Sequence, residues 1–132
     1  MKVSQHFRRG EFACKCGCEQ VAVDVELICC LEIIRNELNK LFQELVVIEI
    51  TSGNRCKKHN RTVGGATGSK HLYSIACDFK AWRKMDNGQT DLVESQVLYD
   101  MIDNIWPDRY GLGLYSNRVH FDVRKQKARW RG

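Results

Sequence analysis

Apolar positions along the chain fall into two helical stripes and several short β-like runs. After Asp24, a residue type favoured at helix N-caps, Leu27, Leu31, Ile34, Leu38 and Leu41 recur every three or four residues. That spacing predicts an amphipathic helix over "VELICCLEIIRNELNKLF". "LVVIEI" is short and rich in β-branched residues, and predicts a strand ending at Thr51 and Ser52. Residues 53–70 are rich in Gly, Asn, Lys and Thr and predict a loop with one helical turn near His59. "SIACDFKAW" predicts a second strand. "DLVESQVLYDMIDNIW" carries Val93, Val97, Met101 and Ile105 at helical spacing and stops before Pro107. "YGLGLYS" and "RVHFDVR" predict two strands joined by a turn at Ser116 and Asn117. Helices and strands do not alternate strictly, which points to an α+β fold with helices on one side of a mainly antiparallel sheet.

Composition adds that one folded domain is expected over residues 1–132. The chain is 43% hydrophobic and 28% charged, and its length supports a core without disulfides. Seven cysteines are an odd number, which argues against a disulfide framework. Cys29, Cys30 and Cys77 lie among apolar residues and are expected as small core side chains. The net charge is +5, part of it from Arg118, Arg124, Lys125, Lys127, Arg129 and Arg131. Such a surface suits an anionic cell wall or a nucleic acid, or is simply solvated. No run approaches the roughly 20 apolar residues of a membrane span. "MKVSQHFRRGEF" has no apolar centre and is not expected to be a secretory leader.

Candidate chemistry centres on histidine. His71 stands seven residues before Asp78. In "RVHFDVR", Val119 and Phe121 alternate with His120 and Asp122, so the two polar side chains share one strand face. A buried imidazole and carboxylate need a partner, and a metal supplies one. His71, Asp78 and His120 form a two-histidine, one-carboxylate set that suits zinc, leaving a fourth position for water. Zinc lowers the pKa of such a water to about 7, as a hydrolase requires. A closed metal site or a hydrogen-bonded polar cluster satisfies the same spacing. "CKCGC" offers three more thiols, with His6 or Cys56 as a conceivable fourth ligand. Alternate cysteines are closer than zinc sites usually show, so Cys14, Cys16 and Cys18 are expected to form a tight turn and are not assigned as ligands.

"SGNRCKKHNRTVGGATGSKHLYSIACD" resembles the core of the zinc D-alanyl-D-alanine peptidase family. That family includes bacterial carboxypeptidases, phage endolysins and vancomycin-resistance dipeptidases. Its pattern appears as Ser52-Gly53-Asn54-Arg55, Asn60, then Ser69, His71, Ala76 and Asp78, and finally His120. "FRRGEFACKCGC" and "YGLGLYSNRVHFDVRKQKARW" look like the short phage-encoded branch. The resemblance implies a hedgehog/D-Ala-D-Ala peptidase-like fold and one catalytic Zn2+ on His71, Asp78 and His120. It implies cleavage next to a D-residue in peptidoglycan stem peptides by a monomer without nucleic-acid or membrane partners. The protein would be made in the cytoplasm and act on the wall once released. Arg55 is expected to stabilise the oxyanion or hold a substrate carboxylate. Ser69 and Tyr115 are expected at the substrate, with turn capping and packing as their alternatives.

Two positions depart from the family pattern. Ser74 replaces the glycine of the box, a residue that usually marks an unusual backbone angle. Asn117 stands three residues before His120, where many members carry an acid. Asp122, as in the His-x-Asp of the phage-type branch, is then the expected general base. Pairing with Arg124 or orienting a ligand is its alternative. The alternative function is a zinc-binding cell-wall recognition module without catalysis.

Overall fold

The computed structural model describes residues 2–16, 23–53, 57–65 and 69–132, with backbone alone at 57–59, 72 and 73. Helix α1 (Val25–Phe42) starts where Asp24 accepts hydrogen bonds from the N–H groups of Glu26 (2.8 Å) and Leu27 (3.2 Å). These are two of the donors a helix start leaves unpaired. Its stripe of Leu27, Leu31, Ile34 and Leu38 is fully buried. Leu41 continues the spacing but is 56% exposed, and so is half of Leu45 just beyond it. The chain reverses there through a left-handed Gln43 (φ 52°), at the end of the layer. Cys29 is exposed, a correction to its expected core position, whereas Cys30 and Cys77 are buried. Two positions beyond Leu27, Cys29 lies on the far side of a 3.6-residue turn.

The remaining elements are β1 (Leu45–Ser52), α2 (Lys57–Thr62), β2 (Ala76–Lys84), β3 (Thr90–Leu92), α3 (Ser95–Ile105), β4 (Gly111–Leu114), β5 (Val119–Asp122) and β6 (Ala128–Arg131). The strands form one sheet in the order β1-β2-β5-β4-β6, with β3 also on β2. All pairs are antiparallel except β4–β6. The fold is therefore α+β, with a mixed but mostly antiparallel sheet.

Two elements differ from the sequence expectation. Thr90–Leu92 pair with β2 as β3, so the second long helix begins only at Ser95. Its buried apolar positions are Leu98 and Ile102, preceded by Val93, while Val97 and Met101 are half-buried. The basic tail forms β6. There Arg129 donates to Asp103 and to the carbonyls of Trp106 and Tyr110, each at 2.7 Å, satisfying carbonyls at and beyond the end of α3.

Alternation along the strands sorts the two faces of the sheet. Val46, Ile48, Ile50, Phe79, Ala81, Leu112, Val119 and Phe121 join the helices in one core. Asp78, Lys80, His120, Asp122, Gly111 and Gly113 alternate with them and take the opposite face. Among the described residues no helix is long and apolar enough to cross a membrane.

Candidate metal centre

The sheet itself brings two of the three histidine and aspartate candidates together. Asp78 and His120 are direct cross-strand partners in the β2–β5 ladder. His71 comes from a one-turn 3-10 helix, Lys70–Tyr73, leading into β2. The Ser69 hydroxyl caps that turn by accepting from the His71 N–H at 3.3 Å. Ser74 closes it in the left-handed region (φ 63°, ψ 15°). The result places His71, Asp78 and His120, all buried, with ligand atoms within 4.8 Å of one another.

The outer nitrogens of both rings are already committed. His71 Nδ1 lies 2.6 Å from the Gly53 carbonyl oxygen. His120 Nε2 lies 2.7 Å from Asp122 Oδ2. Each is a donor there, because its partner only accepts. In a neutral ring the remaining nitrogen then carries a lone pair. His71 Nε2 (3.2 Å) and His120 Nδ1 (3.0 Å) both face the same oxygen, Asp78 Oδ1. Three converging lone-pair atoms, buried from water, are unfavourable without a cation between them. A backbone carbonyl and a carboxylate behind the two imidazoles are the partners that metal-ligating histidines generally have. The donor set thus fits a divalent cation of the zinc type.

Charge favours the same occupant. Burial opposes ionisation of Asp78, but the His120 and His71 rings beside it, each able to take up a proton facing the carboxylate, outweigh burial and hold the carboxyl well below the usual range. Burial likewise disfavours a charged His120, yet bonding to Asp122 and Asp78 raises its pKa. The attraction that raises it is available to any cation at this point.

Behind His120, Asp122 is fully buried and held on three sides. Arg124 reaches it with Nε and a terminal nitrogen, each at 2.7 Å, and with its backbone N–H at 3.1 Å. Burial works against the charge on Asp122, but Arg124 and His120 together keep it strongly ionised. "GLGL" makes room for this arrangement. A Cβ at Gly111 would collide with the Asp122 carboxylate, and one at Gly113 with the Trp130 indole. Trp130 lies against His120, with ring centroids 5.0 Å apart, and donates from Nε1 to the Tyr115 hydroxyl at 3.1 Å.

The centre opens into a cavity of about 640 Å³ lined by Ser69, His71, Asp78, Tyr115, Arg118 and His120, among others. Ser69 and Tyr115 therefore stand at its wall, whereas Asp122 lies behind it. Asn54, Arg55, Cys56 and Cys18 fall outside the described residues. His6 bonds Glu32 at 2.6 Å rather than a thiol, and Cys14 Sγ lies 3.3 Å from Cys16 Sγ. Among the described residues the metal-type cluster found is His71–Asp78–His120. Sequence reasoning did not anticipate Gly53, Arg118 or Trp130. The two alternating glycines of β4 were the available signal that something bulky crosses this face.

Comparison with curated proteins and with solved structures gives no match. The family model described as Peptidase M15 matches residues 5–122, a span that includes the turn bearing His71, the strands bearing Asp78 and His120, and the Gly53 carbonyl. With its buried His-Asp-His set in place, the chain belongs to the peptidase M15 family of zinc-dependent metallopeptidases.

Proposed function

We propose that the protein is a zinc peptidase that cleaves a bond next to a D-amino acid in peptidoglycan stem peptides. The observation that carries this reading is the buried His71–Asp78–His120 set, whose outer nitrogens are pinned while its inner atoms face an open cavity. Zinc held there would supply Lewis acidity, polarising a carbonyl and making water nucleophilic near neutral pH.

The chain's own part is to hold and orient. Gly53 fixes the His71 ring and Asp122 fixes the His120 ring. The sequence expectation makes Asp122 the proton acceptor. Its bidentate bond to Arg124 and its place behind the cavity support the orienting part instead. Ser69 and Tyr115, at the cavity wall, are proposed to touch the peptide, and Arg55 to hold its carboxylate or oxyanion. The peptidoglycan substrate is supported by the resemblance of the His-Asp box and distal His to D-Ala-D-Ala peptidases.

A second reading has an observation of its own. Asn117 cannot take a proton, and Asp78 is the one carboxylate among the described residues lining the cavity. A zinc-binding recognition module that holds the wall without cutting it fits those facts. Incubating the zinc-loaded protein with purified cell walls separates the two. The peptidase reading expects soluble muropeptides with new peptide termini by mass spectrometry, abolished by a chelator and restored by zinc. Wall binding with one zinc per chain and no new termini would establish the module.

A further inference from the structure

The cavity at the metal centre is the middle of a longer groove. A hollow of about 530 Å³ shares Val63, Asp78 and Arg118 with it, and one of about 390 Å³ shares Lys70 and Arg124. The first arm presents Lys15, Lys80 and Arg118, the second Lys70, Lys125 and Lys127. The only carboxylate among the described lining residues is Asp78, which would be spent on the cation. The whole chain has 21 basic and 16 acidic residues, so its basic excess is concentrated along this groove.

Arg118 is the best placed of these cations. Its Nε lies 3.8 Å from Asp78 Oδ2, beside the candidate centre. Its guanidinium stacks over the Tyr115 ring at 4.4 Å, which orders the fork at little cost in side-chain freedom. Lys80 stands two residues beyond Asp78 on the same face of β2. The nearest cross-strand acid, Glu49, accepts from Trp82 Nε1 at 2.9 Å. Arg124, in contrast, has its charge taken up by Asp122.

We infer that Arg118, with Lys80, forms a carboxylate seat beside the metal centre that makes the groove selective for a stem peptide bearing a free α-carboxyl on its D-Glu residue. A planar fork next to a cation-lined hollow recognises a carboxylate bidentately and rejects the carboxamide of the same shape. This inference rests on the peptidase reading above and narrows its substrate to the acidic form of the stem peptide.

The test uses two synthetic pentapeptides, L-Ala-γ-D-Glu-L-Lys-D-Ala-D-Ala, one with the free α-carboxyl on the D-Glu residue and one with its carboxamide. The zinc-loaded protein should favour the acid by about tenfold or more in kcat/KM, expressed mainly in KM, as expected for a charge-assisted contact. In Arg118→Gln/Lys80→Gln that ratio should fall towards one, with zinc content and thermal melting as folding controls. Equal use of the two peptides by the wild type, or an undiminished preference in the double variant, would overturn the seat. If neither peptide is cut, calorimetric titration decides. Tighter binding of the acid, lost in the double variant, upholds the seat while the catalytic reading fails. Indifferent or undetectable binding of both removes the seat as well.

Discussion

Asp122 shows how one side chain can be read two ways from the sequence and one way from its contacts. A residue two positions from a ligand on the same strand face is a plausible proton acceptor. Its burial against Arg124 makes it a poor one and a good anchor for His120. Asp122→Asn keeps the shape and removes the charge. Metal affinity should fall about 10- to 100-fold, as for other partners of ligating histidines, with turnover recovering in excess zinc. Complete loss of turnover at full zinc occupancy would restore Asp122 as the base. Ser74 makes a second residue-scale prediction. It sits at φ 63°, where a non-glycine residue loses roughly 1–2 kcal/mol. Ser74→Gly relieves that strain but frees the unfolded chain by about 0.4–1 kcal/mol. Urea unfolding should therefore show a gain of up to about 1.5 kcal/mol, with the His71 turn unchanged.

At the scale of elements, the N-terminal arm is tied to α1 both by burial and by charge. Phe7 and Phe12 are buried with ring centroids 6.2 Å apart, and Ser4 and His6 bond Glu32. Partial burial would raise the pKa of Glu32, but the bonds from Ser4 and His6 outweigh it and leave it lowered. A lowered carboxyl stabilises the fold fully above its unfolded pKa of about 4.3 and progressively less as pH falls through its folded value. Stability measured from pH 5 down to pH 3 should therefore fall more steeply in the wild type than in Glu32→Gln. Parallel curves would show that the arm is held by its phenylalanines alone. This arm also reaches the candidate metal centre. Phe12 packs its backbone on Gly53 so closely that a Cβ there would collide with it, and Gly53 carries the carbonyl that fixes His71.

For the molecule as a whole, a cation should act as a clamp between segments far apart in sequence. Asp78 and His120 are 42 residues apart, and the His71 turn lies outside both strands. A ligand that binds only the folded state at 100 times its Kd adds about 2.7 kcal/mol. Calorimetry in zinc and in a chelator should thus differ by several degrees in Tm, the chelated protein melting lower. Coincident transitions would mean that the three side chains hold no ion.

Much of this architecture was legible in the amino-acid order because its causes are local. Asp24 and the leucine stripe specify α1. β-branched and alternating runs specify β1, β2 and β5, and the alternation in "RVHFDVR" already put His120 and Asp122 on one face. The pairing of a short box with a distal histidine suggested the ligands. Other features depend on partners distant in the chain. Thr90–Leu92 become a strand only because β2 offers a free edge, and the basic tail becomes β6 only because β4 lies open beside it. The choice between base and anchor for Asp122 depends on where Arg124 folds back. The roles of Gly53 and Arg118 depend on which atoms stand within 4 Å of His71 and Asp78. Periodicity reports which side of an element is buried. It carries no information about which side chain meets which across the sheet, and that meeting is what makes the site.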